Sequence, residues 1–358
     1  MRSEQPDISG SVVGENAEVP RVRQTEKPVE RPITREPSGP PSPVGATYVE
    51  PSAEKILTPG TKIGDLFRRN MTQPYVLQRL SKRAYWVQSF NYGTIFYVGE
   101  DGVLIFDTLE GVYDNIRKAV AAVTDKPITA AVYPHYHADH VGDIAKYVEA
   151  ANEQGILFRI IASEKTRQSM ELAKSSFPRP TQVLGWPRDS FGFEGLTVEL
   201  HGFEWAAHTD DHSAWLLKED RILHSPDLIN PDQPPFWKFA GNERFRFHED
   251  NLRQVYDLEW DYLSGSHGNI GTREDIDFQL KFLADLKAAV AKVMEEHPFM
   301  EFVDPSADAH TAFLSNFFGT IAREATAALR PKYGQLYGFE YATPPNAEMV
   351  GWTMFEYR

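Results

Sequence analysis

The sequence predicts an α/β (α+β) fold, and three observations carry that prediction. Strand-like and helix-like runs alternate in both halves of the chain, a three-strand β-meander opens the first half, and one apolar, β-branched strand at 128–133 runs directly into a loop crowded with histidine. The composition leaves room for such a fold: 358 residues at 41% hydrophobic content hold one large domain or two smaller ones. A formal charge of −14 repels a phosphate backbone, and no basic run offsets it, so nucleic acid is not an expected partner. The absence of cysteine excludes disulfides, thiolate metal ligands and a cysteine nucleophile. No charged segment followed by an apolar run marks a secretory signal, and no apolar stretch is long enough to span a membrane. The expected location is therefore the cytoplasm, with no membrane partner.

Each element follows from local pattern. Residues 1–55 are rich in Pro, Glu, Arg and Ser, as in Glu36-Pro37-Ser38-Gly39-Pro40-Pro41, and read as an extended or disordered leader, either a solvated tail or a strap across a partner subunit. Order is expected from about Ile63. The meander comprises 84–87, 93–98 and 103–106, with Gly99-Glu100-Asp101-Gly102 as a turn and Asp107-Thr108 at its end. Val112, Ile116, Val120 and Val123 keep helical spacing and predict a helix over 112–123. After the strand 128–133 comes a helix over 142–150. Strand and helix recur at 158–161 and 163–172, where Ser163 serves as N-cap with Glu164 in the first turn.

Alternation returns at 196–200, and strands at 214–217 and 221–224 flank the Lys218-Glu219-Asp220 turn. Residues 230–237 contain too much proline for regular structure. A helix over 248–258 and a strand over 261–264 follow, and Thr272 caps a long amphipathic helix reaching about 296. A further helix spans about 309–329. Residues 331–358, with Phe339, Tyr341, Trp352, Phe355 and Tyr357, read as an aromatic tail covering the core or a subunit interface, the basis for expecting a homodimer. The organisation is thus a leader (1–55), a catalytic domain (56–300) and a C-terminal helix with its tail (301–358).

The histidine-rich loop is Pro134-His135-Tyr136-His137-Ala138-Asp139-His140-Val141-Gly142-Asp143. Neutral imidazoles and carboxylates are the ligands a borderline cation such as Zn²⁺ prefers, and crowding them gains little unless a cation holds them together. The alternative is a polar surface loop. Three further candidates, His208, Asp227 and His267, also sit in short loops after strand-like runs, and loops at strand ends converge on one edge of a sheet. His208 has an alternative role as a turn cap through Thr209 and Asp210, Asp227 as a turn residue after Pro226, and His267 as a glycine-loop histidine. His212 and His224 read as support behind the set or as core; His201, His248, His297 and His310 read as surface residues.

The motif His-x-His-x-Asp-His after a strand, with His208, Asp227 and His267 following in order, resembles the signature of the metallo-β-lactamase superfamily over roughly residues 80–290. The resemblance implies a four-layer αββα sandwich with added C-terminal helices and two metals at its upper edge. It assigns His135, His137 and His208 to one metal, Asp139, His140 and His267 to the second, and Asp227 to the bridge. It further implies two Zn²⁺, with iron or manganese as alternatives, and a bridging hydroxide that attacks an ester, lactone or amide of a small, partly apolar substrate. Asp139 and Asp227 are then the catalytic carboxylates, Asp139 orienting the nucleophile. His137 stands where flavodiiron members usually have glutamate, which favours hydrolysis. Gly271-Thr272-Arg273-Glu274-Asp275 resembles lactonase-like and alkylsulfatase-like members, although the tyrosine expected three residues after the bridging Asp in acyl-homoserine lactonases is Asn230 here.

Competing readings are an iron-dependent, persulfide-dioxygenase-like oxidoreductase, a sulfatase or phosphodiesterase on the same site, and a non-catalytic module, which would be expected to lack some ligands. Phe236, Trp237, Phe239, Phe245 and Phe247 either wall an apolar pocket or pack beneath the sheet, with Trp86, Phe90 and Tyr92 as the opposite wall.

Overall fold

The computed structural model describes residues 42–357. A short parallel pair, β1 (Thr47–Val49) and β2 (Thr61–Ile63), leads through helix α1 (Leu66–Thr72) into a seven-stranded sheet. That sheet contains β3 (Val76–Arg79), β4 (Ala84–Ser89), β5 (Tyr92–Val98), β6 (Val103–Phe106), β7 (Ile128–Tyr133), β8 (Arg159–Ser163) and β9 (Gln182–Leu184), neighbours in space in that order. β3 to β6 form the antiparallel meander. From β6 to β9 the strands run parallel, so each crossover carries helix: α2 (Tyr113–Ala121), then α3 (Ala138–Val141) with α4 (Ile144–Glu153), then α5 (Glu164–Leu172). Ser163 caps α5 as expected, accepting a hydrogen bond from the Thr166 amide.

The second sheet orders β10 (Arg188–Phe193), β11 (Leu196–Gly202), β12 (Ser213–Leu217), β13 (Ile222–His224) and β14 (Tyr262–Ser264), antiparallel except for the parallel β13–β14 pair. The β13–β14 crossover holds a left-handed turn, α6 (Lys238–Gly241), and a regular helix, α7 (His248–Tyr256). Three helices complete the chain: α8 (Arg273–Glu296), α9 (Thr311–Tyr333) and α10 (Phe339–Glu356).

Strand alternation builds the layers. Trp86, Ile95, Leu104, Phe106 and Val132 of the first sheet meet Val198, Leu200, Trp215 and Ile222 of the second in one buried cluster. The opposite face of the first sheet, with Tyr85, Val87, Phe96, Ile105 and Ala131, packs on Ile116, Val120 and Ile144 of its helices. Leu216, Leu223 and Leu263 of the second sheet meet Leu252, Val255 and Ile276 of α7 and α8. The fold is therefore the four-layer αββα sandwich, and β6 is apolar throughout, with β7 apolar apart from Thr129 and the Tyr133 hydroxyl, because helices cover one face and a sheet the other.

Three expectations need adjustment. Residues 1–41 of the leader lie outside the described residues, but residues 42–55 include β1, whose Thr47-Tyr48-Val49 run pairs with β2, so strand structure starts before the boundary drawn from composition. β9 and β10 were not expected: β9 has only three residues, and β10 buries Phe191 and Phe193 but alternates them with charged, Ser and Gly positions. The aromatic tail is largely helix α10, which buries Phe339, Ala347 and Val350 against α8 and α9 and tolerates Pro344 and Pro345 within it. Among the described residues no helix is long and apolar enough to cross a membrane.

The β1–β2 pair reaches the core through a buried ion cluster. Lys62 is fully buried, with its ammonium 2.7 Å from Asp275 and 3.1 Å from Asp232. Asp275 also closes a capping box with Thr272 at the start of α8, and Asp232 receives Asn269 Nδ2 at 2.9 Å. Burial opposes the charge on Lys62, but the two carboxylates outweigh it and raise its pKa above the ordinary lysine value. Replacing Lys62 with Met should leave two buried carboxylates uncompensated and destabilise the protein by about 3–5 kcal/mol, measured by urea unfolding.

Candidate metal centre

All seven candidate ligands lie where strands of the two sheets end on a common edge. β7 runs into the loop and short helix that present His135, His137, Asp139 and His140; the segment after β11 presents His208; Asp227 follows β13 and His267 follows β14. His135, His137, His208 and Asp227 form one group of converging ligand atoms, and Asp139, His140 and His267 form a second. Asp227 joins them. Its Oδ2 lies 2.9 Å from His140 Nε2, 3.2 Å from His208 Nε2 and 3.4 Å from His135 Nε2, while Oδ1 lies 3.1 Å from His267 Nε2.

The donor set fits divalent cations. His208 Nε2 stands 3.3 Å from His135 Nε2 and 3.1 Å from His137 Nδ1, so three ring nitrogens face one another where protons can satisfy only some of them. Burial, reinforced by neighbouring imidazoles, holds His135 well below the ordinary histidine range and brings His137 to about 4, which keeps their lone pairs available. Burial also resists ionisation of Asp227, but His140 and His208 outweigh it and hold the carboxyl well below its usual range. Imidazole nitrogens around a buried carboxylate, with no sulfur, suit zinc-class ions; His140, whose burial disfavours charge but whose pKa Asp227 and Asp107 raise well above the ordinary value, would exchange its proton for a cation.

Groups behind the ligands fix their orientation. His267 Nδ1 donates to the Asn91 carbonyl at 2.7 Å, which commits Nε2 to the centre, and His212 Nε2 donates to the Pro226 carbonyl at 2.6 Å, just before Asp227. Gly265 and Gly268 are required by backbone approach. A Cβ at Gly265 would run into the Ile229 carbonyl, and Gly268 has φ +97° beside the Pro231 carbonyl.

Beside the ligands opens a cavity of about 190 Å³, lined on one side by Asn91 and Tyr92 of the β4–β5 hairpin and on the other by Phe236, Trp237 and α6. Phe236 stacks on the His267 ring at 5.4 Å, and Trp237 is 53% exposed, enough to meet a ligand. In α6, Lys238, Phe239 and Ala240 all adopt positive φ (49°, 52° and 58°), a conformation costing roughly 1–2 kcal/mol per non-glycine residue.

The metallo-beta-lactamase superfamily model matches residues 90–269, 180 of the 358 residues. The chain belongs to that superfamily. Among curated relatives, it is 25% identical over 193 residues to the 2,4-dinitroanisole O-demethylase subunit alpha of Nocardioides sp. (strain JS1661), a match covering 52% of this chain and 56% of that protein. It is 39% identical over 67 residues to a linear primary-alkylsulfatase of Pseudomonas sp. (strain ATCC 19151), covering 18% of this chain and 12% of that protein. The matches thus span less than two thirds of either relative. A solved metallo-beta-lactamase from Pontibacter korlensis aligns with 59% of this chain and 99% of its own at 20% identity and a TM-score of 0.47.

In this superfamily member the expected pocket walls need correction. Trp86 is 1% exposed between the two sheets, because its place on β4 faces inward. Phe239 and Phe245 pack into the core of α8–α10, and Phe247 lies against Trp205 at 5.5 Å; Phe90 sits exposed at the hairpin tip, outside the cavity lining. Asp107 was missed as a functional support. At the end of β6, with φ 55°, its Oδ2 accepts from His224 Nε2 at 2.7 Å and Ser266 Oγ at 2.8 Å, and its Oδ1 lies 3.5 Å from His140 Nδ1. The available signal was its position, immediately after an apolar strand, like the ligands themselves.

His248 is also not a surface residue. It is 2% exposed, with Nδ1 3.0 Å from Asn242 Nδ2, and burial, aided by His208, brings its pKa down to about 3 from an ordinary 6.5. A histidine kept neutral in the fold gives stability that is complete above pH 6.5 and is lost as pH falls towards 3. His248→Gln should therefore flatten the acid limb between pH 6.5 and 3 by about one proton, or roughly 1.4 kcal/mol per pH unit, in unfolding free energies measured across that range.

Proposed function

We propose that this chain is a dinuclear metal-dependent hydrolase acting on an ester, lactone or amide of a small, partly apolar molecule. The observation carrying this reading is that two ligand groups share one buried carboxylate, Asp227, and open onto a cavity with an aromatic wall. His135, His137, His208 and Asp227 would hold one cation; Asp139, His140, His267 and Asp227 would hold the other. When bound, such a pair supplies hydroxide at neutral pH and an electrophilic centre for the substrate's oxygen.

The protein's own groups do the rest. Asp139, its side chain 37% exposed at the cavity, would orient the attacking hydroxide, while Asp227, nearly inaccessible, keeps the two ligand groups in register. Tyr92, Phe236 and Trp237 hold the apolar part of the substrate and exclude water beside the reacting bond. The alkylsulfatase and O-demethylase likenesses add sulfate esters and aryl methyl ethers to the substrates worth screening.

Metal content is the decisive measurement. Protein purified without added metal should carry about two zinc ions per chain, and Asp227→Asn should bind fewer and lose at least about 100-fold in kcat. Near-stoichiometric iron with oxygen uptake would replace hydrolysis with the oxidoreductase reading. For the wall, Trp237→Ala should raise KM for a hexanoyl ester about tenfold relative to the acetyl ester, with kcat little changed.

A further inference from the structure

The strained turn beside the metal pocket is held from outside the sandwich. α6 turns left-handed through Lys238, Phe239 and Ala240 and ends at Gly241 with φ 78°; the Gly241 amide donates to the Trp237 carbonyl at 3.2 Å and the Asn242 amide to the Lys238 carbonyl at 3.0 Å. These are helical hydrogen bonds in the unfavoured hand, and the three residues at the centre of the turn, Lys238, Phe239 and Ala240, have side chains that oppose it. Something must over-determine the conformation. Asn346, on α10 and fully buried, does so at two points: its Oδ1 accepts from the Phe239 amide at 3.0 Å and its Nδ2 donates to the Pro235 carbonyl at 2.7 Å. Between those points lie Phe236 and Trp237, both in the cavity lining, and Phe239 is anchored in the core of α8–α10.

We propose that Asn346 is a positioning residue for the substrate pocket: by clamping residues 235–239 it holds the left-handed turn and so fixes the Phe236–Trp237 wall, making α10 a determinant of which apolar groups the site accepts. That last step rests on the hydrolase reading; the clamp itself does not. Asn346 touches none of the candidate ligands through these bonds, so its effect should separate from metal binding. It also explains why a helix far along the chain presents a fully buried amide side chain, whose four hydrogen-bonding positions would otherwise be costly to enclose.

The test uses the full chain loaded with zinc. In Asn346→Ala, the Gly241 and Asn242 amides should exchange with deuterium at least about tenfold faster than in the wild type, while the strands of both sheets keep their protection. Calorimetric affinity for hexanoate should fall about tenfold relative to acetate, whose affinity, like the zinc content, should change less than about twofold. Adding Ala240→Gly, which makes the left-handed conformation easy without restoring the clamp, should recover both amide protection and the hexanoate preference.

Should the alanine variant fail to fold, Asn346→Gln keeps a neutral donor and acceptor but displaces them by one methylene, and should fall between wild type and alanine in both measurements. Unchanged exchange at Gly241 and Asn242 in a folded variant would overturn the clamp. Equal loss of acetate, hexanoate and zinc binding, with no recovery on adding Ala240→Gly, would reduce Asn346 to general structure and overturn it too. If the wild type binds neither zinc nor carboxylate, the hydrolase reading falls with the specificity step, while exchange still decides whether Asn346 holds the turn.

Discussion

A buried carboxylate surrounded by imidazoles is the constraint on which the rest of this molecule depends. Asp227 is almost inaccessible, and four histidine nitrogens lie between 2.9 and 3.4 Å from its oxygens. An ionised carboxylate in such a place is tolerated only where positive charge, either protons on the imidazoles or cations among them, offsets its desolvation. The four histidines come from three separate loops on both sheets, so the electrostatic requirement at one residue becomes a geometric requirement on both sheets at once.

Support for that geometry radiates outward in recognisable steps. Asp107, held ionised at about pKa 2 against its burial by His224 and His140, ties the end of β6 to the end of β13 and to the loop carrying His267. Farther out, the Lys62 ion cluster joins β2 to Asp232 and Asp275, on the loop after Asp227 and the helix after His267. Positive φ recurs at the elements around the centre, at Asp107, Asp227, Asp232, Ser266 and residues 238–240, although Asp65, Lys174, Glu194 and Arg221 adopt it elsewhere. Strain of this kind persists only where surrounding contacts over-determine it, and here those contacts run between the elements that deliver ligands or pocket wall.

Much of this was legible in the sequence, and the reason is periodicity. The meander, the strand 128–133 and the amphipathic helices announce themselves because each buries a regular face, and the ligands stand out because histidine and aspartate cluster at the ends of apolar strands. The Thr272 cap and the Ser163 cap are likewise local chemistry. What escaped depends on contacts distant in sequence. Asp107 is one carboxylate among many until His224 and Ser266 are seen to converge on it. His248 looks exposed because its buried surroundings come from other segments. Phe239 and Phe245 share the composition of their neighbours Phe236 and Trp237, and only the left-handed turn decides that the first pair faces the helical core and the second the cavity.

That division has a consequence for how the protein can change. The ligand loops are fixed by the meeting of two sheets, so altering them disturbs the sandwich and the centre together. The aromatic wall instead hangs between Asn230, whose Oδ1 accepts from the Phe236 amide at 3.1 Å, and Asn346 on α10, with Phe239 buried among α8, α9 and α10. Substitutions in α9 and α10 reach that wall through Phe239 and Asn346 without touching the sheets, whereas α8 also packs on the second sheet through Ile276. On the proposed hydrolase reading, selectivity for the apolar part of a substrate would be set largely from α10 and the chemistry from the sheet edges, the two meeting at Phe236, which stacks on His267 in one cavity of about 190 Å³.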